Sequence, residues 1–193
     1  MSRALTATIA VVVVVAILVG ATQLHTHASA PSAAPAPAAV SAALTGSPGP
    51  LAALHAQADL LLPASPAVVA GRLHGLHGYP VVLNKWASWC GPCRAEFPYF
   101  QRAAVSLGRQ VAFVGLNSGD VASDAQTFLR QFPLSYPSYE DPHEAVARSL
   151  NAALNYPQTL FYDRTGRLAY QHQGFYTTQA SLETDIRRYA LGA

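Results

Sequence analysis

The only two cysteines in 193 residues stand three apart in Trp89-Cys90-Gly91-Pro92-Cys93, between the apolar run Pro80-Val81-Val82-Leu83 and a stretch with helical patterning. That order constrains the fold more than anything else in the chain. A buried strand that runs into Cys-X-X-Cys at the start of a helix sets the first sulfur among unpaired backbone N–H groups, at the positive end of the helix dipole. The first thiol then ionises readily, and the thiolate is the form that attacks a disulfide. The motif reads as a redox-active pair.

Other uses of paired cysteines fit less well. A zinc site needs two further ligands, and with no third cysteine the histidines would have to supply them. His74 and His77 in Leu-His-Gly-Leu-His-Gly come closest, but they lie upstream in a surface turn. A purely structural bridge across so short a loop would stabilise little. Peroxidase chemistry would ask for a separate peroxidatic cysteine. No metal and no cofactor are expected.

The first third of the chain addresses location. Arg3 is followed by residues 4–24 with no charge, including Val11-Val12-Val13-Val14-Val15. Residues 1–24 are therefore a signal anchor or a cleavable signal peptide, the anchor being the favoured reading. Either one sends the rest of the chain out of the cytoplasm, where disulfides persist. Residues 25–50 are rich in alanine, proline and serine and lack acidic or basic side chains, which predicts an extended linker. Residues 51–193 are enough for one domain with a proper core. After residue 24 the eleven Arg/Lys nearly cancel the ten Asp/Glu, so no basic face speaks for nucleic acid.

Within the domain, apolar spacing predicts helices over 51–62 and 66–76, a buried strand over 81–86, a helix over 90–107 and a second strand over 111–116. The last three make a βαβ unit with parallel strands, leaving the cysteines at the carboxyl end of the first. Further helices are predicted over 123–131 and 142–153. A hairpin is predicted over 159–162 and 168–173 across Asp163-Arg164-Thr165-Gly166, and an amphipathic helix over 178–191.

The stretch Val81-Val82-Leu83-Asn84-Lys85-Trp86-Ala87-Ser88-Trp89-Cys90-Gly91-Pro92-Cys93-Arg94-Ala95-Glu96-Phe97-Pro98, with Tyr156-Pro157-Gln158-Thr159 and Asp163-Arg164-Thr165-Gly166 downstream, resembles the membrane-tethered TlpA/ResA-like thioredoxins. The resemblance covers residues 79–190. It implies an α/β thioredoxin-like fold, a central mixed sheet flanked by helices, and thiol–disulfide exchange outside the cytoplasm, often in cytochrome c maturation.

The resemblance also distributes roles. Cys90 is the expected nucleophile and Cys93 the resolving thiol, with Gly91 and Pro92 shaping the loop between them. Trp89 either shields the site or belongs to the core, and Trp86 is expected in the core. Pro157 is expected to be cis and to lie against the cysteines, with Tyr156 before it pairing with an extended substrate and narrowing the groove. Asn84 stands where cytoplasmic thioredoxins carry a buried aspartate. Glu96, one turn past Cys93, is the substitute proton carrier if it is buried, and a solvated helix glutamate otherwise. Lys85 departs from the family, which places an apolar residue there, and its charge needs solvent or a carboxylate.

The expected activity is that of an extracytoplasmic thiol–disulfide oxidoreductase reducing protein disulfides. The alternative is an oxidant that introduces them. A copper-delivery chaperone is the reading from another class, with His143 or His172 as the histidines available to it. Expected partners are protein dithiol or disulfide substrates and a membrane redox protein that recharges the pair, the chain itself being monomeric.

Overall fold

The computed structural model describes residues 35–193, so the signal or anchor segment predicted for residues 1–24 lies outside the described residues. No helix among the described residues is long and apolar enough to cross a membrane. The centre of the molecule is β2 (Val81–Trp86), whose six residues are all buried. A strand buried on both faces reads as a continuous apolar run, which is why the sequence marks it so clearly. Helix α4 (Gly91–Leu107) leads from it to β3 (Ala112–Ser118), which pairs with β2 in parallel, as the βαβ reading requires.

Four more strands complete one mixed sheet. In the order β1-β4-β3-β2-β5-β6, β1 (Leu61–Pro63), β4 (Ser138–Asp141) and β3 run parallel, whereas β5 (Gln158–Tyr162) is antiparallel to β2 and β6 (Leu168–Gln173) to β5. The β5–β6 turn is closed by Asp163, whose carboxylate accepts from the Thr165 N–H and hydroxyl and the Arg167 N–H, with Gly166 at φ 77°. Alternation along β2 sends Val82 and Trp86 to one face and Val81 and Leu83 to the other. Against the first face pack α4, α5 (Ala122–Gln131) and α7 (Gln179–Asp185), which continues as a π-helical stretch over Ile186–Leu191. Against the second pack α2 (Gly49–His55), α3 (Pro66–Gly75) and α6 (Ala145–Ser149).

Three predicted elements differ from the structure. The linker expected over 25–50 is helical in much of its described part, as α1 (Pro37–Leu44) followed by the start of α2. Both helices carry proline in the first turn, where a missing N–H costs nothing, so prolines that read as extended backbone act as helix starts. Leu44 is buried at the end of α4, where a Cβ added to Gly108 would lie 2.8 Å from Leu44 Cδ2.

The helix predicted over 51–62 stops at His55. Asp59 adopts φ 60° and its carboxylate accepts from the Leu134 N–H, turning Leu61 and Leu62 into an edge strand. The helix predicted over 142–153 shrinks to α6, because the Asp141 carboxylate takes the Val146 and Ala147 N–H groups and Asn151, at φ 55°, ends the run.

Candidate active site

Cys90 is the N-cap of α4, 4% exposed, and its sulfur accepts from the Cys93 N–H at 3.1 Å. Pro92 occupies the first turn, where its missing N–H costs little, and the Cys93 N–H, in the same turn and without an intrahelical acceptor, is the donor that reaches the sulfur. Cys93 is fully buried one turn in, and the two are joined as a disulfide with 5.3 Å between Cα atoms. Gly91 and Pro92 are exposed between them.

The loop that enters the helix is held from β3. Asp120, buried just past the end of that strand, accepts from the Ser88 N–H and hydroxyl, the Asn117 side-chain amide and the Val121 N–H. Sequence reading missed Asp120. The available signal was its position: an acidic residue after a glycine, at the carboxyl end of the strand next to the one that delivers the cysteines, where open α/β sheets assemble their sites.

Trp89 is 60% exposed and donates its indole N–H to the Gly119 carbonyl at 3.0 Å, so it belongs to the surface of the site and not to the core. Trp86 is the core tryptophan, edge-on to Phe97 with its indole N–H on Ser138 Oγ. The Trp89 ring centroid lies 4.8 Å from that of Tyr156, and the Tyr156–Pro157 peptide bond is cis. Pro157 is buried and immediately precedes β5, whose Gln158 pairs with Lys85 near the end of β2, so the cis bond lies at the end of the sheet from which the cysteine loop departs.

Glu96 is fully buried because the apolar stripe of α4 runs through it: Cys93, Phe97, Phe100 and Ala103 flank it at helical spacing. One carboxylate oxygen accepts from the Tyr176 N–H at 3.0 Å and the other has no hydrogen bond. Asn84, equally buried on the same sheet face as Trp86, faces this carboxyl beyond hydrogen-bonding geometry with both amide atoms unpaired. Burial pushes the Glu96 pKa up to about 8, tempered by the Tyr176 N–H and the nearby amide. The carboxyl thus changes charge close to neutral pH, one helical turn from Cys93.

Lys85 does not reach solvent but finds a carboxylate, Glu144, and a set of backbone carbonyls. Its fully buried ammonium donates to the carbonyls of Ala152, Ala153 and Asn155 at 2.7, 3.2 and 3.2 Å, and lies 3.8 Å from Glu144 Oε1 and 3.6 Å from the centre of the Tyr156 ring. All three ammonium protons are used, which makes a buried cation tolerable. Burial still draws its pKa down against the pull of Glu144 and Asp141.

A parallel strand ending in a helix-capping, disulfide-forming Cys-X-X-Cys, opposite a cis-proline loop on a mixed six-stranded sheet, defines a thioredoxin-fold thiol–disulfide protein. The chain belongs to the AhpC/TSA family, whose profile matches residues 69–171. It is similar to the thiol-disulfide oxidoreductase ResA of Geobacillus kaustophilus, 30% identical over 98 residues, which cover 50% of this chain and 56% of that one. The thiol:disulfide interchange protein DsbE of Escherichia coli is 32% identical over 98 residues, covering 50% and 51%. Among solved structures, one assigned as a thiol:disulfide interchange protein DsbE from Chlorobium tepidum matches with a TM-score of 0.56 at 32% identity, covering 61% of this chain and 84% of that chain. The chain spans about half the length of the two sequence relatives.

Proposed function

We propose that this protein is an extracytoplasmic protein-disulfide reductase. In the dithiol form, the Cys90 thiolate attacks one sulfur of a substrate disulfide; a Cys90–substrate bond forms and the substrate's other sulfur leaves as a thiolate. Cys93, deprotonated in turn, attacks Cys90, forming the Cys90–Cys93 disulfide and releasing the second substrate thiolate. Two electrons pass from the pair to the substrate, and two protons end on its sulfurs. Glu96 acts as the proton carrier for Cys93, since its raised pKa lets it accept and return a proton near neutrality.

Trp89, Gly91 and Pro92 present the exposed rim of the pair, and Tyr156 and Pro157 form the opposite side of the site where the backbone of an extended substrate pairs. The uncharged run 4–24 supports placement outside the cytoplasm, tethered or released. A partner dithiol at the membrane returns the electrons.

The observation that carries the direction of flow is the buried Glu96 beside Cys93. In its ionised form, which it reaches as pH rises through about 8, this carboxyl opposes the negative charge of the reduced pair's thiolate and so favours giving the electrons away. Equilibrating the protein with glutathione buffers tests it. A midpoint potential close to the thioredoxin value of about −270 mV supports the reductase, whereas one near about −120 mV overturns it in favour of an oxidant that introduces disulfides.

A further inference from the structure

Lys85 is the only lysine in the chain, and its side chain lies on the sheet face opposite Cys93 and Glu96. Its ammonium nevertheless reaches the segment that leads into Pro157, where the carbonyls of Ala152, Ala153 and Asn155 accept from it. Above the ammonium lies the face of Tyr156, and the Tyr156 hydroxyl donates to the Glu144 carboxylate at 2.5 Å. Glu144 stands at φ 56° ahead of α6, which turns its carboxylate toward both Lys85 and Tyr156. Gly119 clears the way: a Cβ there would lie 2.8 Å from the Tyr156 hydroxyl and 3.3 Å from Glu144 Oε1. The Gly119 carbonyl in turn takes the Trp89 indole N–H, and the Trp89 ring rests against Tyr156.

These contacts form one chain from a buried cation to an exposed indole beside the nucleophilic cysteine. We propose that Lys85 is a positioning residue: with Glu144 it clamps the 152–156 segment and the Tyr156 ring, so that Tyr156 and Trp89 stand as a fixed aromatic wall beside Cys90 that recognises the polypeptide around a substrate disulfide. An arginine would not replace it, because three carbonyls converging on one nitrogen fit a compact ammonium and not a planar fork. The proposal rests on the reductase reading for its substrate, a disulfide within a polypeptide, but the clamp itself is a property of the ring's position.

The clamp acts on polypeptide recognition and not on sulfur chemistry, so a small disulfide separates the two. The test compares the full-length protein with Lys85→Met, and with Glu144→Ala in case the buried substitution prevents folding, using oxidised insulin and the small aromatic disulfide dithiobis(nitrobenzoate). Lys85→Met should raise KM for insulin about tenfold with kcat within about twofold, and Glu144→Ala about threefold, while turnover of the small disulfide changes by less than about twofold. Acrylamide quenching of Trp89, measured with Trp86→Phe as the background, should rise in both variants as the wall loosens. Unchanged insulin KM, or equal losses on both substrates, would overturn the proposal. If the parent protein reduces neither substrate, the reductase reading fails and the quenching decides the clamp alone: a rise upholds it, and unchanged quenching overturns it.

Discussion

The backbone N–H of Tyr176 donates to Glu96 Oε2 at 3.0 Å, joining positions eighty residues apart across the sheet-facing side of α4. The Tyr176 hydroxyl donates to Asp185 in α7, and the His172 ring stacks on Tyr176 with centroids 4.1 Å apart. The acid beside Cys93 is therefore fixed by the segment between β6 and the last helix and cannot swing out to solvent.

Glu96 ties stability to pH. Its pKa rises from about 4.5 in the unfolded chain to about 8 in the folded one, so between these values the native state binds more protons than the unfolded state. Stability is then full below the unfolded value and falls as pH rises through the window, by a few kcal/mol, reaching its floor above the folded pKa. Denaturant unfolding from about pH 4.5 to about pH 9 should show this decline. In Glu96→Gln the decline should vanish, along with the inflection near pH 8 in the rate at which Cys93 resolves a mixed disulfide.

Asp120 organises the approach to Cys90. Replacing it with Ala leaves the Ser88 N–H and hydroxyl, the Asn117 amide and the Val121 N–H without their acceptor. Each buried donor left unpaired costs about 1–3 kcal/mol, and partial access of water to Ser88 softens the sum, so Asp120→Ala should destabilise by about 2–4 kcal/mol. Thermal melts measure the loss, and alkylation of reduced Cys90 should quicken as its loop loses its anchor; Asp120→Asn should destabilise as well, because in either orientation its amide NH2 replaces an accepting oxygen and faces a backbone N–H donor.

The central part of the fold was legible because its signals are local. Residues 81–86 are uniformly apolar apart from Asn84 and Lys85, the helix after them starts at a cysteine and a proline, and the hairpin turn carries Asp163 and Gly166 at the positions such a turn requires. Edge and connecting elements were not. Whether Leu60-Leu61-Leu62 continues a helix or pairs as a strand depends on β4, far along the chain, and a short apolar run carries no period that separates the two. Proline-rich residues 37–50 looked extended because the helices they start are stabilised by Leu44, Leu51 and Leu54 packing on distant residues.

Within the site, Cys90 and Cys93 announced themselves by spacing, and the burial of Glu96 follows from its place on the stripe of Cys93, Phe97 and Phe100. Lys85 could be seen as an anomaly but not explained. Its partners are carbonyls of the 152–155 segment, and no side-chain pattern encodes where a loop's carbonyls point.

The order of attack within the cysteine pair underlies every other role assigned to the site. It is tested by mixing reduced Cys93→Ser and Cys90→Ser proteins with oxidised insulin and separating the products without reductant. Cys93→Ser should accumulate a covalent adduct through Cys90 that dithiothreitol releases, and Cys90→Ser should form none. An adduct through Cys93 in Cys90→Ser, or none in either protein, would contradict the assignment of Cys90 as the attacking thiol.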